Sequence, residues 1–379
     1  MHRRRFLRIA LGTGGMVALG AGATGLSGRW SRLSRGTAGE PSAADDLVRV
    51  MHGFHAFGTE MWLRVLHRDG ELATQAAEAA VGGVLRVEAV MSVYRAESDL
   101  ARLNRRGRVE RPDPYLVEIL NTAGRVSEQT NGAFDVSVQP LWGLYAEAAR
   151  TGSLPTQAEL DRVRRRIDWR QIEVRPERIR LLGRDMALTL NGIAQGFATD
   201  RAVAVLRQRG IEHALVDAGE IGPMGEKAPG QAWKAGIQHP RQADAYVAVA
   251  QLDGRCLATS GDYATSLIGC QDGNAVAVPS VASENRPGDA VPHGSTYLRR
   301  NSGDRRVHHL FDPQTGRSPG HYASVSVLAP TATMADALST AFSILPPPQM
   351  MDLVRETHRV DVLAVLKSGR VLSTPGFPV

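Results

Sequence analysis

Asp336 and Thr340 lie four residues apart in the segment PTATMADALSTAFSIL. On a helix that spacing puts both side chains on one face. A carboxylate beside an alcohol oxygen is a hard donor pair of the kind that suits magnesium. Ser339 is adjacent and reaches the same region. The plainer account is an acid near a helix start with a back-bonded threonine. A second segment, NGIAQGFATDRA, holds Asn191, Gly192 and Gly196 in a loop poor in Cβ atoms that runs into a helix. Backbone N–H groups at such a place can meet a phosphate. The pattern matches neither a Walker loop nor a dinucleotide fingerprint, so an ordinary strand–turn–helix stands beside it. A third, HHLFDPQTGRSP, sets His309 three residues before the turn signal Asp312-Pro313. TSGDY at 259–263 and TNGAFDVSVQPLWGLY at 130–145, with Asp135, are further polar or Gly-centred turns.

These segments need elements to hold them. Apolar spacing predicts helices over 72–93, with a wobble at Gly82-Gly83, and over 114–128, 157–166, 197–209, 333–345 and 349–357. Strands are expected at 54–67, 214–217, 233–237, 245–252, 256–260, 322–329 and 361–366. Two more fall in 172–190, with a turn near Gly183. Residues 269–304 are rich in Gly, Pro, Ser, Asn and Asp and read as a long irregular insertion. Helices and strands mix without a regular βαβ rhythm. The expected fold class is therefore α+β, with largely antiparallel sheet and packed helices.

The 379 residues are 43% hydrophobic and 22% charged, enough for a sizeable core. The net charge of +6 is concentrated in Arg3, Arg4, Arg5, Arg8, Arg29, Arg32 and Arg35. Without those seven the balance is −1, so the basic character is no argument for nucleic acid as a partner. His2 to Arg8 fits a twin-arginine export signal, followed by a short Gly-broken apolar stretch and a small-residue cleavage site at Ala21-Gly22-Ala23. The expected organisation is a signal peptide at 1–26, a linker at 27–44 and one domain at 45–379. The expected location is the periplasm, with an uncleaved membrane anchor as the alternative. Cys256 and Cys270 are the only cysteines. They form either one disulfide or two buried thiols.

Taken in order, the segments resemble the ApbE family of FAD:protein FMN transferases from Phe54 to Leu366. Phe57-Gly58-Thr59 resembles that family's Met-Gly-Thr opening. MSVYRAESDLARLN, NGAFDVSVQPL, NGIAQGFATDRA, ATSGDY, HLFDPQTG and TATMADALSTA resemble its later motifs. The resemblance implies an α+β fold with the flavin nucleotide in a cleft. It places FAD against Phe57, Tyr94, Ala133, Phe134, Asp135, Thr189, Gln195, His309 and Leu310. It places Mg2+ on the Gly192 carbonyl, Asp336 and Thr340, with Ser339 nearby. The implied reaction is transfer of FMN from FAD to a threonine or serine hydroxyl of another protein, releasing AMP. His309 is the candidate base by its chemistry, with Asp262 and Asp312 as alternatives.

The sequence departs from the family pattern at three places. Thr189 stands where Asp is common, Gln195 where Lys is common, and Phe57 where Met is common. The implied partner is an acceptor flavoprotein subunit of a membrane redox complex. An exported branch of the family accompanies nitrous-oxide reduction and flavinylates a membrane-bound regulator, which makes such a regulator a candidate acceptor. The alternative functions are a periplasmic FAD carrier, an FAD pyrophosphatase and an assembly factor without transferase activity.

Overall fold

The computed structural model describes residues 47–151, 153–242, 244–263, 266–271, 274–277 and 307–379. The expected export segment 1–26, the expected linker 27–44 and most of the expected insertion 269–304 lie outside the described residues.

The chain opens with a hairpin, β1 (Val48–Ala56) and β2 (Thr59–His67). The expected single strand 54–67 is thus two. Phe57 (φ 51°) and Gly58 (φ 71°) are both left-handed, and a two-residue turn of that hand matches the twist of paired strands. α1 (Gly70–Met91) follows, capped by Asp69, whose carboxylate accepts from the N–H groups of Glu71 and Leu72. It passes through Gly82-Gly83 unbroken. α2 (Asp99–Arg106), absent from the sequence expectation, has a Ser98 cap and ends at left-handed Gly107. β3 (Arg108–Glu110) leads to α3 (Pro114–Gln129). α4 (Gln139–Thr151) and α5 (Gln157–Arg164) build a satellite core of Leu141, Tyr145, Leu160, Val163 and Phe311.

β4 (Ile172–Arg175) and β5 (Arg178–Leu181) turn at 176–177 rather than near Gly183. The turn contains Pro176, which has no N–H to give to a strand ladder. α6 (Ala194–Gln208) precedes β6 (His213–Asp217), β7 (Ile221–Met224), β8 (Lys234–Gln238), β9 (Tyr246–Gln251) and β10 (Cys256–Gly261). β11 (Ser266–Gln271) and β12 (Asn274–Ala277) put regular strand where the irregular insertion was expected to begin. β13 (Val307–His308), β14 (Tyr322–Ala329), α7 (Ala332–Ile344), α8 (Pro347–Glu356), β15 (Asp361–Leu366) and β16 (Val371–Ser373) complete the chain.

Eight strands form the central sheet in the order β1-β2-β6-β7-β10-β14-β15-β16. Every described strand pair is antiparallel. One face carries α1, α6 and α7 over the main core. The opposite face is covered around Trp233, Ile237 and Phe377, with the β8–β9 hairpin as part of the lid. The Trp233 indole donates to the Met224 carbonyl, so its polar edge is satisfied. α7 is apolar almost all round and buried along nearly its whole length, the pattern of a helix inside a core rather than on a surface. Cys256 is a free, buried thiol, and the side chain of Cys270 lies outside the described residues. The Cys256 thiol is pushed up to about 12 by burial.

Candidate active-site cleft

Helices α6 and α7 meet at their N-terminal ends and cap each other. The residue before α6 is Ile193, which offers no side-chain cap. Asp336, from the second turn of α7, supplies one instead: its Oδ2 accepts from the Gly196 N–H at 3.0 Å. In return Asp200 of α6 accepts from the N–H groups of Ala332 and Thr333, each at 2.9 Å, and from the Thr333 hydroxyl. Burial raises the Asp200 carboxyl, and these donors work against the rise. The approach demands glycine: a Cβ on Gly196 would sit 2.2 Å from the Ala332 carbonyl oxygen. One on Gly192 would sit 2.8 Å from Thr340 Oγ1.

This junction forms the floor of a cleft that is open at its mouth. Gly192, Asn191 and Thr189 come from the loop before α6, and Asp336 and Thr340 from α7. Glu220 comes from the loop after β6, and Thr259, Ser260 and Gly261 from the end of β10. β6 and β10 run in the same direction with β7 between them, so both deliver their C-terminal ends to this edge of the sheet. The other wall is apolar and aromatic. Ala133 and Phe134 follow α3, Trp142 belongs to α4, and His309, Leu310 and Phe311 follow β13. Phe311 stacks on Tyr145 at 5.0 Å and meets Trp142 edge-on at 5.8 Å. The His309 ring is 6.3 Å from that of Trp142.

Of the residues singled out from sequence, Ala133, Phe134, Asp135, Thr189, Gly192, His309, Leu310, Asp336 and Thr340 all line this cleft. Asp135 is largely committed to holding its own wall. Its Oδ1 accepts from Ser137 N–H at 2.8 Å and Ser137 hydroxyl at 2.6 Å, and its Oδ2 from Trp169 N–H at 3.2 Å. Burial raises its carboxyl, and the Ser137 and Trp169 bonds oppose the rise.

Phe57, Tyr94, Gln195 and Ser339 are not among the lining residues. Phe57 occupies the β1–β2 turn, its N–H donating to Glu88. Tyr94 is 65% exposed beyond the end of α1. The Gln195 side chain points under the Glu220 loop, where a Cβ on Gly219 would meet its Nε2 at 2.4 Å. Ser339 lies one layer behind, its hydroxyl bonded to Ser260 and to the Asp336 carbonyl. The two alternative bases are both engaged elsewhere. Asp262 is 8% exposed and forms a bidentate pair with Arg241, both bonds 2.7 Å. Asp312 staples its own turn, accepting from Gln314 N–H and the Thr315 hydroxyl.

Glu220, Ser260, Trp142 and Phe311 are cleft residues that the sequence did not single out. Glu220 is an isolated acid after a strand, and nothing in its spacing points to a partner. The turn TSGDY stands out in the sequence as a whole, and nothing in it separates Ser260 from its neighbours.

The charge of the cleft is one-sided. Among the described residues its lining carries three carboxylates, Asp135, Glu220 and Asp336, and no lysine or arginine. Asp336 is 3% exposed and Glu220 3%. No cage of three or more His, Cys, Asp or Glu side chains exists among the described residues. Instead the floor offers one carboxylate, one alcohol and a loop backbone packed directly on that alcohol. Those hard oxygens fit an ion that fills its remaining positions with water or phosphate oxygen.

Comparison with known proteins agrees with this architecture. The model of the ApbE family matches residues 57–278 and 268–364. A relative from Salmonella typhimurium named FAD:protein FMN transferase is 27% identical, over 88% of this chain and 89% of its own. One of the same name from Haemophilus influenzae is 28% identical, over 74% of this chain and 75% of its own. Among solved structures, the ApbE protein of Thermotoga maritima superposes with a TM-score of 0.69 at 24% identity, covering 86% of this chain and 97% of that one. The flavin transferase ApbE of Vibrio cholerae does so with a TM-score of 0.67 at 23% identity, covering 87% and 98%. The helix-capped cleft on an antiparallel α+β frame, together with the family match over most of its length, shows that the chain belongs to the ApbE family.

Proposed function

We propose that the chain is an FAD:protein FMN transferase that uses Mg2+, passes FMN to a threonine or serine hydroxyl of an acceptor protein and releases AMP. The relatives' shared name supports the reaction class. The observation that carries the finer reading is the cleft's charge: among the described residues its lining has three carboxylates and no lysine or arginine. Against those described residues a diphosphate needs a cation beside it. Asp336, Thr340 and the Gly192 carbonyl are the residues that would hold the ion. Bound there, Mg2+ would neutralise the diphosphate and stabilise charge developing on the departing phosphate.

The chain's own groups do the rest. Phe134, Trp142 and Phe311 give a planar ring system an apolar wall and keep water from it. His309, on that wall, takes the proton of the acceptor hydroxyl as the hydroxyl attacks the FMN phosphorus. Asp262 and Asp312 do not serve in that role, because Arg241 holds the first and its own turn holds the second.

The acceptor is a flavoprotein subunit of a membrane redox complex, and the chain works in the periplasm after twin-arginine export. The arginine-rich start of the sequence supports that placement. N-terminal sequencing of protein recovered from the periplasm tests it, and a mature start between residues 24 and 27 is expected.

The central experiment incubates the protein with FAD, Mg2+ and a candidate acceptor domain. An acceptor mass increase of one FMN, with AMP released and both lost on chelation, is expected. AMP without a mass increase would make the chain a pyrophosphatase. FAD binding with neither product would make it a carrier.

A further inference from the structure

The hydroxyl groups behind Thr340 are joined in a chain whose direction can be deduced. Ser339 Oγ lies 2.9 Å from the Asp336 carbonyl oxygen. A carbonyl only accepts, so Ser339 must be the donor there. Ser339 has one proton. In its 2.7 Å contact with Ser260 Oγ, Ser260 therefore donates and Ser339 accepts. That commits the Ser260 proton inward and leaves the Ser260 oxygen as an acceptor. Thr340 Oγ1 is 3.4 Å away and can fill that role as donor. The reverse orientation would leave two lone pairs facing each other between Ser339 and Asp336, in a buried place where that is costly.

We infer that Ser260 is a positioning residue which, with Ser339 behind it, turns the Thr340 hydroxyl so that its lone pairs face the cleft as a cation ligand. The inference rests on the metal reading proposed above and adds residues that do not touch the ion. Without Ser260, the Thr340 hydroxyl is free to rotate and to aim its proton at the cleft. It could also bond back to its own helix, as threonines commonly do. Gly192 closes the other side, where even a Cβ would come within 2.8 Å of the same oxygen. The Thr340 hydroxyl is thus held between a strand end and a loop backbone, with its rotation set from the strand side. Groups behind a ligand that fix its orientation typically change metal affinity 10- to 100-fold when removed.

The test measures ion binding rather than turnover. Mn2+ is titrated into the full chain, without flavin and again with FAD, and bound ion is read from loss of the free-ion electron-spin signal. Ser260→Ala is expected to weaken Mn2+ binding roughly 10-fold, and Ser260→Thr, which keeps the hydroxyl, to restore most of it. In a Thr340→Ala background, Ser260→Ala should have no further effect, because its influence passes only through Thr340. Wild-type affinity in Ser260→Ala would overturn the inference alone. So would equal losses in both backgrounds, which would mean a general disturbance of the strand end. Failure of the wild-type chain to bind Mn2+ in either condition would overturn the metal reading and this inference together.

Discussion

Asp336 does two jobs in this structure, and substitutions can separate them. Its carboxylate caps α6 through Gly196 N–H and faces the cleft floor. Asp336→Ala removes the charge and also leaves a buried N–H without its acceptor, at a cost of about 1–3 kcal/mol. Asp336→Asn keeps an oxygen for that N–H and loses only the charge. Both variants are expected to lose Mg2+-dependent FMN transfer, while only the alanine variant shows a clear fall in melting temperature. Full transfer by Asp336→Asn would remove this residue from the metal site. Its spacing with Thr340 was plain in the sequence. The cap was not, because Gly196 is 140 positions away in the chain. Ser339 shows the same limit. Sequence adjacency put it beside Thr340, but neighbours on a helix point about 100° apart, and the hydroxyl of Ser339 turns inward to Ser260.

Between elements, the exchange of caps fixes α6 and α7 to each other. Asp200 and Asp336 each reach across to the other helix's first turn. The fit depends on Gly196, where the Ala332 carbonyl leaves no room for a side chain. Asp200→Ala is expected to destabilise the chain by roughly 1–2 kcal/mol, the usual cost of a lost helix cap. It is also expected to weaken Mn2+ binding, because α7 carries Asp336 and Thr340. Asp200→Asn should retain part of both. Melting curves and the same ion titration decide this, and an alanine variant with unaltered metal affinity would show that the second cap plays no part in the site. Most helices were legible from their apolar spacing. α2 and α4 were not: α2 is charged and short, and the satellite core of α4 depends on Phe311 arriving from far along the chain.

Across the whole molecule, the sheet separates a helix-covered core from a second face and gathers the cleft at one edge. Asp217 marks that edge, at the last position of β6 and directly opposite Trp62 of β2. Burial pushes its carboxyl up to about 7, although Gly219 N–H works against the shift. An unfolded aspartate titrates near 4. Between about pH 4 and pH 7 the folded chain therefore holds more protons than the unfolded one, and stability falls as pH rises through that window. Above 7 this group adds no further change. Asp217→Asn lacks the penalty. Its melting temperature should rise relative to wild type from pH 4 to pH 7 and then keep a constant lead. Parallel melting curves for the two proteins across that range would rule out Asp217 as the source.

The sequence by itself determined the class of fold, most of its helices and inner strands, and the short segments that meet in the cleft. Those are properties of local spacing, turn chemistry and ordered motifs, which a linear chain records directly. It did not determine which oxygens face the cleft, nor that Asp262 is held by Arg241. It did not show that Glu220 joins Asp336, or that no described lysine or arginine does so. Each of those depends on pairs of groups distant in the chain meeting at a sheet edge. There, burial and hydrogen-bond direction settle what a side chain can do, and only the packed structure sets them.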